Sequence, residues 1–149
     1  MKTVDFSSVI LQHPDYDSKL KIDFVNDVVA HFGGFAKAPI YDKTDSIRNI
    51  LSNKVTAVFR MAAKDIVDIR EICLHENFGW KEIFAEVREK ELGVEPAEVS
   101  EILRGLPQTA FDSVRWIRLQ NYDLFMRNIE IIAKDMLCLS QNSLFGKSL

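Results

Sequence analysis

A lysine in the middle of an apolar helical stripe limits how this chain can fold. The segment SIRNILSNKVTAVFRM, residues 46–61, places Ile47, Ile50, Leu51, Val58 and Met61 on one face at helical spacing. At about 100° per residue, Lys54 falls within that apolar arc. An unpaired ammonium cannot be buried cheaply, so the stripe must meet an element that carries a carboxylate. The next segment supplies candidates in Lys64-Asp65-Ile66-Val67-Asp68-Ile69. A short link between the two segments favours an antiparallel helix pair, in which Asp65 or Asp68 reaches Lys54.

Two roles are open for such a lysine. It can lock two helices through an ion pair, or it can hold a phosphate while a carboxylate orients it. Arg60 and Lys64, close to the same link, add cations to either arrangement.

Upstream of this region the periodicity is different. Residues 3–11 and 19–25 read as strands, joined by the turn-rich His13-Pro14-Asp15-Tyr16-Asp17-Ser18. A hairpin alone is marginally stable in water, so it needs a helix layer, more strands or another chain. In Lys21-Ile22-Asp23-Phe24 the alternation puts Ile22 and Phe24 on one side and Lys21 and Asp23 on the other. Gly33-Gly34 breaks the chain, and residues 35–41 form a short extended piece.

From residue 44 onward the pattern is helical, with Thr44 or Asp45 as the expected N-cap. Helices are expected over 46–61, 62–76, 79–92, 96–103, 111–117 and 121–139, and a fraying tail from about residue 141. The predicted fold is α+β: a small N-terminal antiparallel hairpin or sheet fragment (1–43), then a bundle of about five to six helices (44–149), in one domain. The 149 residues suffice for one sizeable core.

Composition excludes several classes. The apolar fraction of 47% and charged fraction of 28% are those of a globular domain. A net charge of −3 gives no general attraction for polyanions. No apolar run is long enough to span a membrane, and the polar N-terminus is unlike a signal peptide, so the expected location is the cytoplasm. Cys73 and Cys138 sit in apolar helical patterns and read as buried free thiols. His13, His31 and His75 have no ligand spacing.

Three stretches together point to a family. LKIDFVND, then RNILSNKVTAVFRMAAKDIVDI, then Phe78 to Glu86 (FGWKEIFAE), resemble the AbiEii/AbiGii-type nucleotidyltransferases. These are the toxins of abortive-infection, type IV toxin–antitoxin systems. The resemblance runs from about Leu20 to Pro107 and rests mainly on the spacing K-x(5)-R-x(3)-K-D-x-x-D-I. It implies that Asp23 is the last carboxylate of a metal site and that Lys54 lies near nucleotide phosphates, with Arg60 and Lys64 beside it. Asp65 and Asp68 match the family's paired acidic element. It also implies Mg²⁺ and an NTP as cofactors, a tRNA-like acceptor and an antitoxin partner.

The chain departs from that family in its N-terminal part. No Gly-Ser turn leads into an Asp-x-Asp strand: Asp5 stands alone, and Asp15-Tyr16-Asp17 lies in a turn. The chain therefore looks like the C-terminal two-thirds of such a protein. Catalysis is not expected from it alone, unless upstream sequence or a partner supplies the missing carboxylates.

Other readings compete with this one. A non-catalytic module could pair or oligomerise through the open edge of the N-terminal sheet. Residues 92–105 resemble a helix-turn-helix, but Glu95, Glu98 and Glu101 dominate its exposed face, so no sequence-specific DNA binding is expected. Arg115, Arg118 and Arg127 read as a solvated basic face.

Overall fold

The computed structural model describes residues 6–26, 29–116 and 121–147; Asp5, Asp27, Ile117 and Arg118 lie outside them. The architecture is α+β. Strands β1 (Phe6–Gln12) and β2 (Lys19–Val25) form an antiparallel two-stranded sheet. Strands β3 (Ala36–Ala38) and β4 (Tyr41–Thr44) form a second one. Among the described residues five α-helices follow: α1 (Ile47–Ala57), α2 (Ala63–His75), α3 (Trp80–Lys90), α4 (Pro96–Gly105) and α5 (Tyr122–Leu137). Short 3-10 turns cover Val58–Arg60 and Gln108–Ser113.

The β1–β2 register pairs Ser7 with Phe24, Val9 with Ile22 and Leu11 with Leu20, so these six side chains share one face. Ser8 with Asp23, Ile10 with Lys21 and Gln12 with Lys19 share the other. Leu11, Leu20 and Phe24 are exposed, so among the described residues no layer of the bundle covers them.

The start of α1 is fixed by three side chains. Thr44, an expected cap, is taken up in β4, where its hydroxyl donates to the Ala36 carbonyl. Asp45 instead pairs with His31 at 2.9 Å. Ser46 is the actual N-cap: its Oγ accepts from Asn49 N–H at 3.0 Å and donates to the Phe32 carbonyl at 2.7 Å. Gly33, at φ +79°, is required in this loop, because a Cβ there would lie 2.5 Å from Ser46 Oγ.

The predicted first helix ends earlier than its apolar pattern. It tightens into the 3-10 turn at Val58 and stops at Met61, whose φ of 53° is left-handed. Met61 and Ile47, expected inward, are exposed. Leu51 and Val58, also expected inward, are buried, and Val55 joins them.

The core lies between the helices. Ile66, Ile69 and Cys73 of α2, Trp80, Phe84 and Val87 of α3, Val99 and Leu103 of α4, and Phe125, Ile129 and Ile132 of α5 are all buried. Phe111 packs edge-on to Phe125 with centroids 5.0 Å apart. Where a helix is predicted from 111 to 117, residues 111–113 end the 3-10 turn Gln108–Ser113 that delivers Phe111, and Ile117 lies outside the described residues.

Two expectations are corrected by packing. Cys138, read as buried, is exposed at the end of α5; only Cys73 is buried. Residues 141–147 do not fray as expected. Leu144 is fully buried, and Asn142 donates from Nδ2 to the Cys73 and Glu76 carbonyls at 2.7 Å each. Trp80 N–H donates to the Ser140 carbonyl and Asn142 N–H to the Phe78 carbonyl, which staples the tail to the start of α3.

Candidate functional site

Lys54 sits in the last turn of α1, facing the first turns of α2. Its Nζ donates to Asp65 Oδ1 at 2.8 Å and lies 2.6 Å from Asp68 Oδ2. The other Asp65 oxygen, Oδ2, accepts from Arg60 Nη2 at 3.1 Å. Asp65 is completely buried, while the Lys54 side chain keeps 25% of its exposure. The expected meeting of Lys54 with Asp65 or Asp68 is present with both.

The burial order follows from the backbone. The turn at Met61 reverses the chain and brings the first turn of α2 beneath the last turn of α1. Asp65 lies on the buried face of α2, with buried Ala63 and Ile66 beside it. Its carboxylate is also near the positive N-terminal end of α2. Burial opposes the charge on Lys54. The hydrogen bonds and charges of Asp65 and Asp68 outweigh that effect and hold its pKa above the usual lysine value.

Two cations face two carboxylates, so this four-residue network is neutral within itself. Lys64 is exposed and outside it. A phosphate approaching Lys54 would have to compete with both aspartates.

Asp23 occupies a different setting, on the hairpin. It accepts from Ser8 Oγ at 2.6 Å and from Lys21 Nζ at 2.9 Å, one bond to each oxygen. Those hydrogen bonds, the Ser8 one foremost, hold its carboxyl below the usual aspartate range. Among the described residues no group of three or more His, Cys, Asp or Glu side chains is placed to hold a metal ion. Among the described residues Asp23 offers a Mg²⁺ ion one carboxylate whose two oxygens are already engaged.

Several polar clusters escape a reading of the sequence. Arg70 is 2% exposed, ion-pairs with Glu71 and lies over the Phe125 ring at 5.6 Å. The Asn128 amide oxygen, turned toward it, accepts from Arg70 Nη2 and Nε at 3.3 Å each. Lys90 reaches from α3 to the Asn49 and Asn53 amide oxygens at 2.6 Å each and covers the Phe32 ring. Arg48 pairs with Glu86 across α1 and α3. Asp135 receives Ser143 N–H at 2.7 Å and Ser143 Oγ at 3.0 Å. Arg70 stands beside Ile69 in a buried stripe, the same signal that exposed Lys54. The partners of the others lie far along the chain, and no local pattern announces them.

A cleft of about 220 Å³ opens near the start of α1, lined by Ile47, Arg48, Leu51, Ile72, Phe78 and Ile83. It does not include Lys54. In the helix-turn-helix-like segment, Glu95 pairs with Arg88 and Arg104 with Glu130, while Val99, Ser100 and Leu103 face the core. No helix among the described residues is long and apolar enough to cross a membrane. Compared with family models, curated proteins and solved structures, the chain finds no match.

Proposed function

We propose that this chain is a nucleotidyltransferase-like protein of the AbiEii type that does not transfer nucleotides by itself. One observation carries the reading. Lys54, Arg60, Asp65 and Asp68, four of the five charged positions of the K-x(5)-R-x(3)-K-D-x-x-D spacing, converge into one network across α1 and α2, with Lys64 outside it. In this chain that network locks the bundle, because its charges are satisfied internally. Asp23 corresponds to the family's last metal-binding carboxylate, and the strand that would bring the first two is not among these residues. A partner supplying those carboxylates would complete a site for moving a nucleotide from an NTP to a tRNA-like acceptor. An antitoxin partner and a cytoplasmic location belong to the same reading.

The test is incubation of the purified chain with labelled NTPs, Mg²⁺ and total tRNA. No labelled tRNA is expected. Labelling by this chain alone that disappears with Asp23→Ala would overturn the silent state.

A second reading, an interaction module, is favoured by the uncovered hairpin. Leu11, Leu20 and Phe24 form an exposed apolar face on a two-stranded sheet that is too small to be stable alone. An apolar fluorescent probe should bind the dilute protein at this face and lose most of its signal with Leu20→Ser/Phe24→Ser. Equal signals from the two proteins would remove this reading.

A further inference from the structure

We propose that β2 pairs antiparallel with β2 of a second copy of this chain, about a two-fold axis through Ile22. This rests on the interaction reading of the hairpin and names its partner.

Among the described residues β2 has β1 on one side and no strand on the other. Its sequence is Lys19-Leu20-Lys21-Ile22-Asp23-Phe24-Val25. A two-fold axis at Ile22 sets Lys21 opposite Asp23 of the second copy, and Asp23 opposite its Lys21. It also sets Leu20 opposite Phe24, and Ile22 opposite itself. Directly opposed residues share a face, so the ion pairs fall on the polar side and the apolar pairs on the apolar side.

The axis at Ile22 pairs all seven residues and is the register that opposes Leu20 with Phe24. An axis at Asp23 would oppose two aspartates; an axis at Lys21 would set Lys19 against Asp23 but oppose two lysines at its centre and pair only five residues. Lysines on an edge strand ordinarily discourage pairing. Here Asp23, two residues along, gives the full-length antiparallel register two opposite-charge pairs and no like-charge pair. Lys21 already donates to its own Asp23 at 2.9 Å, and an ammonium has donors to spare for a second carboxylate. The β1 edge, Phe6-Ser7-Ser8-Val9-Ile10-Leu11-Gln12, has no charge and so no comparable selection.

Pairing would produce a four-stranded sheet in the order β1-β2-β2-β1. Its apolar face doubles, joining Val9, Leu11, Leu20, Ile22 and Phe24 of both copies. Three or more strands with an apolar face are what a sheet needs for stability. One seven-residue edge is a small interface, below about 1,200 Å² in total, so the dimer should be weak and form in the micromolar range.

Sedimentation of the full chain from about 1 to about 100 µM should show a monomer of 17.1 kDa giving way to a species of twice that mass. Lys21→Asp should weaken association about tenfold, and Lys21→Asp/Asp23→Lys should restore it. In a Cys138→Ser background, which removes the exposed thiol, Ile22→Cys should oxidise to a disulfide-linked dimer and Val9→Cys should not. A monomer throughout that range, or cross-linking through Val9→Cys instead, would overturn self-pairing. If the chain stays monomeric while the apolar probe still binds the hairpin, self-pairing fails and the interaction reading stands. If the probe does not bind, that reading fails too.

Discussion

Lys54 on α1 donates to Asp65 on α2 at 2.8 Å, and Asp65 has no exposed surface. The strength of that relationship depends on which partner is removed. Lys54→Met leaves a buried carboxylate with Arg60 alone, and loss of a partner from a buried pair costs about 3 kcal/mol. Asp68→Asn removes a carboxylate that is 47% exposed, and should cost about 1 kcal/mol or less. Urea unfolding of the two variants gives the comparison. Equal losses would place the weight of the network at the surface.

The same pair sets a pH dependence. The folded-state pKa of Lys54 is raised above its unfolded value of 10.5. Its stabilising effect is therefore complete below pH 10.5 and is lost as pH rises through the higher folded value. The stability difference between wild type and Lys54→Met should be flat across neutral pH and shrink only in strong base. A difference that shrinks near neutrality would contradict the raised pKa.

The cysteines should differ in reactivity. Burial, helped by the Asp135 charge, pushes the Cys73 thiol far above its ordinary range, while Cys138 is exposed. A thiol reagent at mildly alkaline pH should titrate Cys138 in the native protein and both thiols after unfolding. Rapid native labelling at Cys73 would show that the α2 core opens.

The C-terminal segment should be necessary for stability. Leu144→Ala removes a fully buried side chain and should cost about 2–5 kcal/mol. Asn142→Ala should strand the carbonyls of Cys73 and Glu76 and lower stability as well. Unchanged unfolding midpoints would mean that the tail is not docked in solution.

The contrast between Lys54 and this tail shows what the sequence can and cannot reveal. Lys54 was legible because a charge on an apolar stripe demands a nearby opposite charge, and Asp65 follows eleven positions later. The alternation in β1 and β2 was legible for a similar reason: one face repeats every second residue. Asn142 gave no such sign, since its partners are backbone carbonyls in α2. Strands β3 and β4 have three and four residues with an irregular register, too short for periodicity to show. Ser46 displaced Thr44 and Asp45 as the cap because those two are engaged by Ala36 and His31. Neither partner could be read from local pattern. The family resemblance implies a metal-site role for Asp23 and a phosphate contact for Lys54. Each is already engaged by the chain's own side chains.

The most direct test of a helix-locking Lys54 is the thermal unfolding midpoint of the wild-type chain measured against rising NTP with Mg²⁺. Ligand that binds the folded state must raise the midpoint with concentration. A lock whose charges are already paired predicts no shift at millimolar NTP. A concentration-dependent rise that Lys54→Met abolishes would contradict it and return Lys54 to the phosphate.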